Sequence, residues 1–322
     1  MHKIYDKWPQ IARESYESDL EPIDFKNINH IVFAGMGGSG AMADIFEAIL
    51  SKTNLHVTIT KGYLLPNTVD SNTLIVITSA SGNTIETLTV LDSAKKLDCN
   101  IVCFSSGGKI EKFCNEKQIH YRKIPLYNNP RTSFPAYLYS ILKVLYSIMP
   151  INNLCIENSI KQLELLSEKI SSNNLSDTNP SIDLANGLSG IPLIYYPRGL
   201  YSAAIRFKNS IQENMKIHAM AEDVLETCHN GIVSWESTSI VKPILIQGTE
   251  DYVRTKERWI ILKEYFDQQN IDYKEIISVH GDILTKLINL IYLLDYSTIY
   301  CAVMNKTDPD PVKSIDFIKN RL

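Results

Sequence analysis

Short apolar runs alternate with helical patterns along the first half of the chain. Helical patterns follow the first, third and fourth of these runs. Because this alternation is typical of parallel strands joined by right-handed helical crossovers, it predicts βαβ units. The predicted strands are HIVFAG (30–35), HVTIT (56–60), TLIVIT (73–78), NIVCFS (100–105) and HYRKIP (120–125).

The alternation resumes in the second half, after a Ser-, Asn- and Gly-rich stretch at 171–190 that predicts a loop or linker. Strands are predicted at 191–197, 242–248 and 273–278, each before a helical run. The segment IPLIYYPRGLYSAAIRF has the same strand, turn and helix pattern as HIVFAGMGGSGAMADIF, but its turn has lost most of the glycines. The chain is therefore predicted to consist of two related α/β halves, as domains 1–152 and 153–322, with phosphate chemistry in the first.

Composition and charge narrow the function classes. The 322 residues are 44% hydrophobic, which is enough for one large or two ordinary domains with a proper core. The net charge of −4 indicates neither a nucleic-acid scaffold nor a protein that binds anionic membranes. The apolar stretch LINLIYLLDYSTIYCAVM is interrupted by Asn289 and Asp295, so it predicts a core helix rather than a membrane span.

Six cysteines occur without C-x-x-C pairs or histidines at zinc-finger spacing. They are expected to be free thiols rather than metal ligands, and free thiols are typical of a reducing cytoplasm. The N-terminus shows no signal-peptide pattern. We therefore expect a cytoplasmic protein that binds no metal, nucleic acid or membrane.

The first predicted strand ends in a glycine-rich loop whose spacing matches the dinucleotide fingerprint. Gly35, Gly37 and Gly40 form G-x-G-x-x-G before a helical pattern. Glycines at a strand-to-helix turn let backbone N–H groups approach an anion. A dinucleotide site also needs an acidic residue at the end of the second strand, where this chain has Lys61. An NADP oxidoreductase, with Lys61 facing a 2′-phosphate, and a simple tight turn both remain alternatives.

A second loop follows the third predicted strand and favours a monophosphate. Ser79, Ser81 and Thr84 supply three hydroxyls around Gly82 where a helix begins. Hydroxyls and helix N–H groups together form a cradle for a phosphate. A helix cap, with Glu86 completing a capping box, accounts for one or two of these residues but not for all.

The motifs GMGGSG and S-x-SGNT-x-ET resemble those of the sugar-isomerase (SIS) domain, which binds phosphosugars. Three further segments resemble the bifunctional phosphoglucose/phosphomannose isomerases: NNPRTSFPAYLY, NSIQENMKIHAMAEDVLETCHNGIVSWE and the C-terminal NKTDPDPVKSIDFIKNRL. The resemblance keeps its order over nearly the whole chain. It implies an α/β fold of two SIS-type, flavodoxin-like subdomains with parallel sheets flanked by helices.

The resemblance also implies residue roles. Glu213 would move a proton between C1 and C2, Arg131 would sit near the enediolate, and His229 and Lys319 would assist ring opening. The histidine would come from the second subunit, so the active site would require a homodimer. No cofactor or metal is implied. Six positions would hold the substrate phosphate: Gly37, Gly38, Ser39, Ser79, Ser81 and Thr84.

The chemistry fits these residue types. An aldose–ketose isomerisation needs a carboxylate to shuttle the proton, a cation for the enediolate and an acid/base pair for the hemiacetal. Taken alone, Glu213 and Lys216 could form a surface pair on a helix, and His229 could be structural. Two positions depart from the family: Ala80, where relatives often have Tyr, and Gly231, where relatives often have Glu. Both bear on pocket shape and sugar preference.

The sequence therefore predicts an isomerase that interconverts glucose 6-phosphate, and also mannose 6-phosphate, with fructose 6-phosphate through a cis-enediol. A non-catalytic SIS regulator is an alternative, although the first 29 residues are short for a DNA-binding module. An isomerase of another phosphosugar is a further alternative; such enzymes are usually shorter, with a single SIS domain.

Overall fold

The computed structural model describes residues 1–321 of the chain. These residues form two compact units. The N-terminal unit is Lys7–Ile156, and the C-terminal unit combines Met1–Asp6 with Glu157–Arg321. The division into domains at 152/153 stays a prediction.

After a short helix α1 (His2–Tyr5), which belongs to the C-terminal unit, the chain builds the N-terminal unit. Its elements are α2 (Trp8–Glu17), β1 (His30–Ala34), α3 (Gly38–Leu50), β2 (His56–Thr60), β3 (Thr73–Ser79), α4 (Ile85–Ala94), β4 (Asn100–Ser105), α5 (Gly108–Lys117), β5 (His120–Lys123) and α6 (Phe134–Val144).

Helix α7 (Asn153–Ile170) leads into the C-terminal unit. The remaining elements are α8 (Pro180–Gly187), β6 (Ile191–Tyr196), α9 (Tyr201–Ser210), β7 (Met220–Asp223), α10 (Val224–Thr227), β8 (Val241–Gln247), α11 (Val253–Gln268), β9 (Lys274–Ile277), α12 (Ile283–Met304) and α13 (Lys313–Lys319). A 3-10 turn precedes α9 at Arg198–Leu200, and a π-helical segment follows it at Ile211–Met215.

The sheet of the N-terminal unit is parallel throughout, with strand order β2-β1-β3-β4-β5. Every residue of β1 and β3 is buried, which explains why these strands read as continuous apolar runs. The strand order reverses between β1 and β3. In open α/β sheets, ligands bind in the crevice outside the carboxyl ends of the strands at such a switch point.

The sheet of the C-terminal unit is also parallel, with order β7-β6-β8-β9. Its order reverses between β6 and β8, as the first sheet does between β1 and β3. A cluster of aromatic and aliphatic side chains packs on it, and the indole N–H of Trp235 donates to the hydroxyl of Tyr195 at 2.9 Å. Two parallel sheets flanked by helices confirm the predicted fold class.

Helix α12 is apolar all round because it is a core helix, as the sequence predicts. Within residues 1–321 it alone is long and apolar enough to span a membrane, and 78% of its most apolar window is buried. Its buried Asp295 pairs with the guanidinium of Arg206 on α9 at 2.7 Å and accepts from the hydroxyl of Ser210 at 2.7 Å. A buried charge has to be paired and hydrogen-bonded in this way.

The structure differs from the sequence predictions in two places. The stretch 171–190, predicted as a loop, contains α8, because the side chain of Asn179 caps the backbone N–H groups of Ser181 and Ile182 and Pro180 fits the first turn. Strand β7 was not predicted. It is a four-residue edge strand of mixed polarity whose residues are half-buried or exposed.

The first six residues complete the core of the C-terminal unit. Tyr5 is fully buried, and its hydroxyl donates to Asp295 at 3.3 Å. The carboxylate of Asp6 accepts from the hydroxyls of Ser172 at 2.6 Å and Tyr296 at 2.5 Å.

Candidate functional site

The loop between β1 and α3 uses each glycine for a different steric reason. Gly37 has a φ of 55°, the left-handed region that a residue without a Cβ adopts at no cost. A Cβ on Gly35 would lie 2.9 Å from the backbone carbon of Ser39, and a Cβ on Gly40 would lie 3.0 Å from the carbonyl oxygen of Gly35. The glycines therefore bring the start of α3 against the end of β1.

Lys61 forms an ion pair beside this loop. Its ammonium lies 2.6 and 2.7 Å from the two carboxylate oxygens of Asp44, which is buried on α3. The pair ties α3 to the residue that follows β2. This contact accounts for Lys61 without a nucleotide phosphate, which weakens the NADP alternative.

In the loop between β3 and α4, the side-chain hydroxyls form hydrogen bonds within the loop and none of them caps the helix. Thr84 is the N-cap residue, but its hydroxyl lies 2.9 Å from that of Ser79 and does not cap. The hydroxyl of Ser81 accepts from the N–H of Asn83 at 3.2 Å, in a local turn. A capping box is thus not the arrangement that forms here. The hydroxyl of Ser39 accepts from the N–H of Ala80 at 3.3 Å, which joins this loop to the glycine loop.

A third turn, between β4 and α5, supports the second loop, and the sequence prediction missed it. The hydroxyl of Ser106 donates to the carbonyl oxygen of Ala80 at 2.7 Å. Gly82 has a φ of 66°, and a Cβ there would lie 1.7 Å from the carbonyl oxygen of Gly107. No side chain fits at Gly82. The Ser-Ser-Gly-Gly sequence at the end of the predicted strand 100–105 was the signal that could have found this turn.

Arg131 lies in a tightly bonded turn before α6 and is buried. The side-chain oxygen of Asn129 accepts from the N–H of Thr132 at 3.1 Å, and the indole N–H of Trp8 donates to the carbonyl oxygen of Thr132 at 3.0 Å. These bonds fix the backbone at Thr132, directly after the arginine.

The same turn approaches the two phosphate loops. A Cβ on Gly38 would lie 3.7 Å from the Cβ of Pro130, so the turn lies beside the start of α3. The hydroxyl of Tyr137, on α6, donates to the carbonyl oxygen of Ala80 at 3.3 Å. Burial raises the pKa of Tyr137 above its ordinary value, so the phenol stays protonated. The structure therefore brings the phosphate-loop candidates and the Arg131 turn together in the N-terminal unit.

In the C-terminal unit, Glu213 lies half-buried in the π-helical segment that continues α9. Such segments are rare and are frequent at functional sites. The buried amide of Asn214 donates to Thr298 at 2.7 Å, and Lys216 ends the segment with a φ of 61°. The ammonium of Lys216 donates to the carbonyl oxygens of Glu213 and of Pro311, the latter at 2.7 Å. The C-terminal segment therefore reaches the backbone of this turn.

His229 and Lys319 lie in other elements of the same unit. His229 is exposed in the turn after α10, and Lys319 is exposed in the last turn of α13. Within the described part of the chain, the side chain of His229 has no hydrogen bond with Glu213 or Lys319. Their roles stay predictions, as do those of the other candidate site residues.

Neither of the two cavities described here involves a predicted site residue. One, of about 350 Å³, lies in the C-terminal unit between 235–242 and 269–272. The other, of about 270 Å³, lies in the N-terminal unit and includes Glu14, Tyr127 and Ser140. Among residues 1–321, no group of three or more His, Cys, Asp or Glu side chains is placed to hold a metal ion.

Comparison with known proteins gives consistent matches. Residues 24–140 match the SIS domain, and residues 177–322 match the bacterial phospho-glucose isomerase C-terminal SIS domain. The crystal structure of tagatose-6-phosphate ketose/aldose isomerase from Escherichia coli superposes with a TM-score of 0.74 at 15% identity, covering 96% of this chain and 95% of that one. The two parallel sheets and these matches define an SIS-domain protein.

Sequence relatives narrow the class further. The bifunctional phosphoglucose/phosphomannose isomerase of Caldicellulosiruptor bescii is 32% identical, over 98% of this chain and 96% of the relative. The chain belongs to the bifunctional phosphoglucose/phosphomannose isomerase family. A D-glucosamine-6-phosphate 4-epimerase of Sulfolobus acidocaldarius is 27% identical over 74% of this chain and 73% of its own length.

Proposed function

We propose that this protein interconverts glucose 6-phosphate, and also mannose 6-phosphate, with fructose 6-phosphate. One observation carries the proposal: the chain matches a bifunctional isomerase along 98% of its length, and that length includes both hydroxyl- and glycine-rich loops of the N-terminal switch point. The protein is then an enzyme of central sugar metabolism, in glycolysis or gluconeogenesis.

In this proposal the N-terminal unit holds the phosphate. Backbone N–H groups at Gly37 and Gly38 and the hydroxyl of Ser39 lie at the start of α3, where the helix dipole favours an anion. Hydroxyls of the β3–α4 loop supply further donors. The Ser79–Thr84 hydrogen bond keeps two of them side by side, so little order has to be gained when substrate binds.

The proton transfer is assigned to the C-terminal unit. Glu213 takes the proton from C2 of the open-chain aldose and returns it to C1, through a cis-enediol. Arg131 stabilises the negative charge that develops on the enediolate oxygens. His229 and Lys319 exchange protons with the ring oxygen and the C1 hydroxyl to open the hemiacetal. These roles need neither a metal nor a cofactor.

The proposal includes a cytoplasmic homodimer with a shared active site, in which His229 is supplied by the second subunit. The exposure of His229 supports this, because a residue that acts on a neighbouring subunit's substrate has to lie at the surface. Mixing inactive His229→Ala subunits with inactive Glu213→Gln subunits tests it. Recovery of about a quarter of wild-type activity supports a shared site, and no recovery contradicts it.

A second candidate function is epimerisation of a hexosamine phosphate at C4. The similarity to the Sulfolobus acidocaldarius epimerase favours it, although that match covers less of the chain than the isomerase match does. Glucosamine 6-phosphate incubated with the protein and then analysed for its C4 epimer decides this point.

The main test is turnover of fructose 6-phosphate by the purified protein in the presence of EDTA. Glucose 6-phosphate and mannose 6-phosphate are scored separately. Formation of both supports the full proposal, and glucose 6-phosphate alone removes the mannose activity. Binding of phosphosugar without either product overturns the isomerase assignment and favours a non-catalytic phosphosugar sensor or a different phosphosugar.

A further inference from the structure

The carbonyl oxygen of Ala80, in the middle of the β3–α4 loop, receives three hydrogen bonds. The hydroxyl of Ser106 donates at 2.7 Å, the backbone N–H of Ser106 at 3.3 Å and the phenol of Tyr137 at 3.3 Å. The donors come from two different elements, the β4–α5 turn and helix α6. A carbonyl oxygen has two lone pairs, so this one is fully engaged.

This engagement fixes the direction of the next N–H group. The peptide unit that joins Ala80 to Ser81 is planar and trans, so its N–H points opposite to its carbonyl. With the carbonyl held by Ser106 and Tyr137, the N–H of Ser81 points away from the β4–α5 turn and from α6. Rotating this N–H requires breaking all three bonds at once.

We propose that Ser106 and Tyr137 are positioning residues that aim the backbone N–H of Ser81 at the substrate phosphate. The inference rests on the proposed function, since it adds one donor to the phosphate cradle of that site. A backbone N–H aimed in advance is a strong anion donor because no reorganisation is needed at binding. Neither hydroxyl has to touch the substrate itself.

The arrangement also explains why two side-chain hydroxyls, those of Ser106 and Tyr137, donate to a loop carbonyl. Ala80 itself is held from the other side, because its N–H donates to the hydroxyl of Ser39. The peptide units on both sides of Ala80 are therefore fixed by side chains from three elements: α3, α6 and the β4–α5 turn. A loop that only had to connect β3 with α4 would not need this.

The test uses Tyr137→Phe and Ser106→Ala, each of which removes one hydroxyl. Two matched controls remove hydroxyls that donate to backbone carbonyls elsewhere: Tyr292→Phe, which loses a bond to Tyr5 at 2.8 Å, and Ser181→Ala, which loses one to Leu293 at 2.9 Å. For each protein, the dissociation constant of inorganic phosphate is measured by calorimetry. The KM and kcat for fructose 6-phosphate and the thermal midpoint are measured in parallel.

We expect Tyr137→Phe and Ser106→Ala each to weaken phosphate binding and to raise KM by about 3- to 10-fold, the size of one hydrogen bond. The value of kcat stays within about 2-fold, because the proton transfer is carried by Glu213. Ser106→Thr, which keeps the hydroxyl, restores the wild-type affinity. The two controls lower the thermal midpoint but leave phosphate affinity unchanged.

Two results would overturn the positioning role alone: unchanged phosphate affinity in both Tyr137→Phe and Ser106→Ala, or an equal loss in the controls. In either case the wild-type protein still binds phosphate and turns over fructose 6-phosphate. A wild-type protein that does neither overturns the proposed function together with this inference.

Discussion

The two units place different turns at the same topological position. In the N-terminal unit, the chain passes from β1 to α3 through Gly35, Gly37 and Gly40, where side chains are excluded by contact or by a positive φ. In the C-terminal unit, it passes from β6 to α9 through a 3-10 turn at Arg198–Leu200. A Cβ on Gly199 would meet no atom within 4 Å.

The difference shows that the strand order supplies the position of a site but not its chemistry. Both sheets have a switch point, yet the glycine-rich loop after β1 has no counterpart after β6, where the turn contains one glycine, Gly199. In the second, the turn carries the side chain of Arg198, whose guanidinium lies 5.0 Å from the ring centroid of Tyr201. There the candidate chemistry lies beyond the helix, at Glu213. Under the proposed function, the phosphate loops lie in the first unit and the proton-transferring Glu213 lies in the second.

The largest effect that separates these two roles is expected for Glu213→Gln. The variant keeps its shape but loses the base, so kcat falls by about 10³-fold, whereas phosphosugar affinity stays within a few-fold. Steady-state kinetics and calorimetric titration with glucose 6-phosphate measure the two. Glu264→Gln, an exposed carboxylate of α11, serves as the control. Retained turnover in Glu213→Gln would remove Glu213 from the mechanism.

The helices that follow the two turns are tied down differently, which predicts unequal losses of stability. Arg206→Met leaves the fully buried Asp295 without its cation and costs about 3–5 kcal/mol of unfolding free energy. Lys61→Met costs less, about 2 kcal/mol, because the half-exposed Lys61 site lets water reach Asp44. Urea unfolding of both variants checks the order. Equal losses would mean that solvent access does not distinguish the two pairs.

Alanine substitutions test whether a Cβ is tolerated in each of the two turns. Gly35→Ala forces the backbone of Ser39 to shift and is expected to cost about 2 kcal/mol, with a lower phosphate affinity. Gly199→Ala is expected to change stability by no more than about 0.5 kcal/mol. Thermal unfolding and phosphate titration of both variants provide the measurement. A loss at Gly199 as large as that at Gly35 would contradict the steric comparison.

The smallest effect concerns the amino-terminal ends of the strands, opposite the glycine-rich loop. β1 begins with His30, whereas β6 begins with Ile191. Burial and the neighbouring His56 lower the pKa of His30, which lies between Thr58 at 2.9 Å and Thr73 at 3.3 Å. The folded state therefore prefers neutral His30. Its contribution to stability is present above the ordinary histidine pKa of about 6.5 and is lost as the pH falls below it.

Urea unfolding at pH 7.5 and 5.5 measures this dependence. His30→Gln, which keeps hydrogen-bonding atoms but does not titrate, is expected to flatten the loss of stability between the two pH values. If the wild type and His30→Gln show the same pH dependence, another group is responsible.

Much of the fold was predictable because its signals are local. The buried strands β1, β3 and β4 are apolar runs, and each is followed by a helix. Strand β7 escaped prediction because its pairing with β6, and not its own composition, makes it a strand. Helix α8 escaped because its Ser, Asn and Gly content indicates a loop, whereas Asn179 and Pro180 form a helix start.

The candidate site was predictable to the extent that it rests on motifs. The two phosphate loops appear in the sequence as glycine and hydroxyl clusters. The sequence did not reveal the contacts that hold these loops together. These are the hydrogen bond from the N–H of Ala80 to the hydroxyl of Ser39 and the approach of Pro130 to Gly38. Those contacts join residues 41 and 92 positions apart, and only the packing of α3, α6 and the strands sets them. The π-helical segment at Glu213 likewise depends on a distant partner, Thr298 of α12.

The packing of Tyr5 and Asp6 in the C-terminal unit has a consequence for the order of synthesis. Tyr5 and Asp6 are translated 290 residues before their respective partners Asp295 and Tyr296. Until α12 has emerged, Tyr5 and Asp6 lack these two partners, and the second core cannot close. We therefore expect residues 1–6 to be accessible to protease in a nascent chain arrested before residue 283, and to be protected once the chain extends beyond α12.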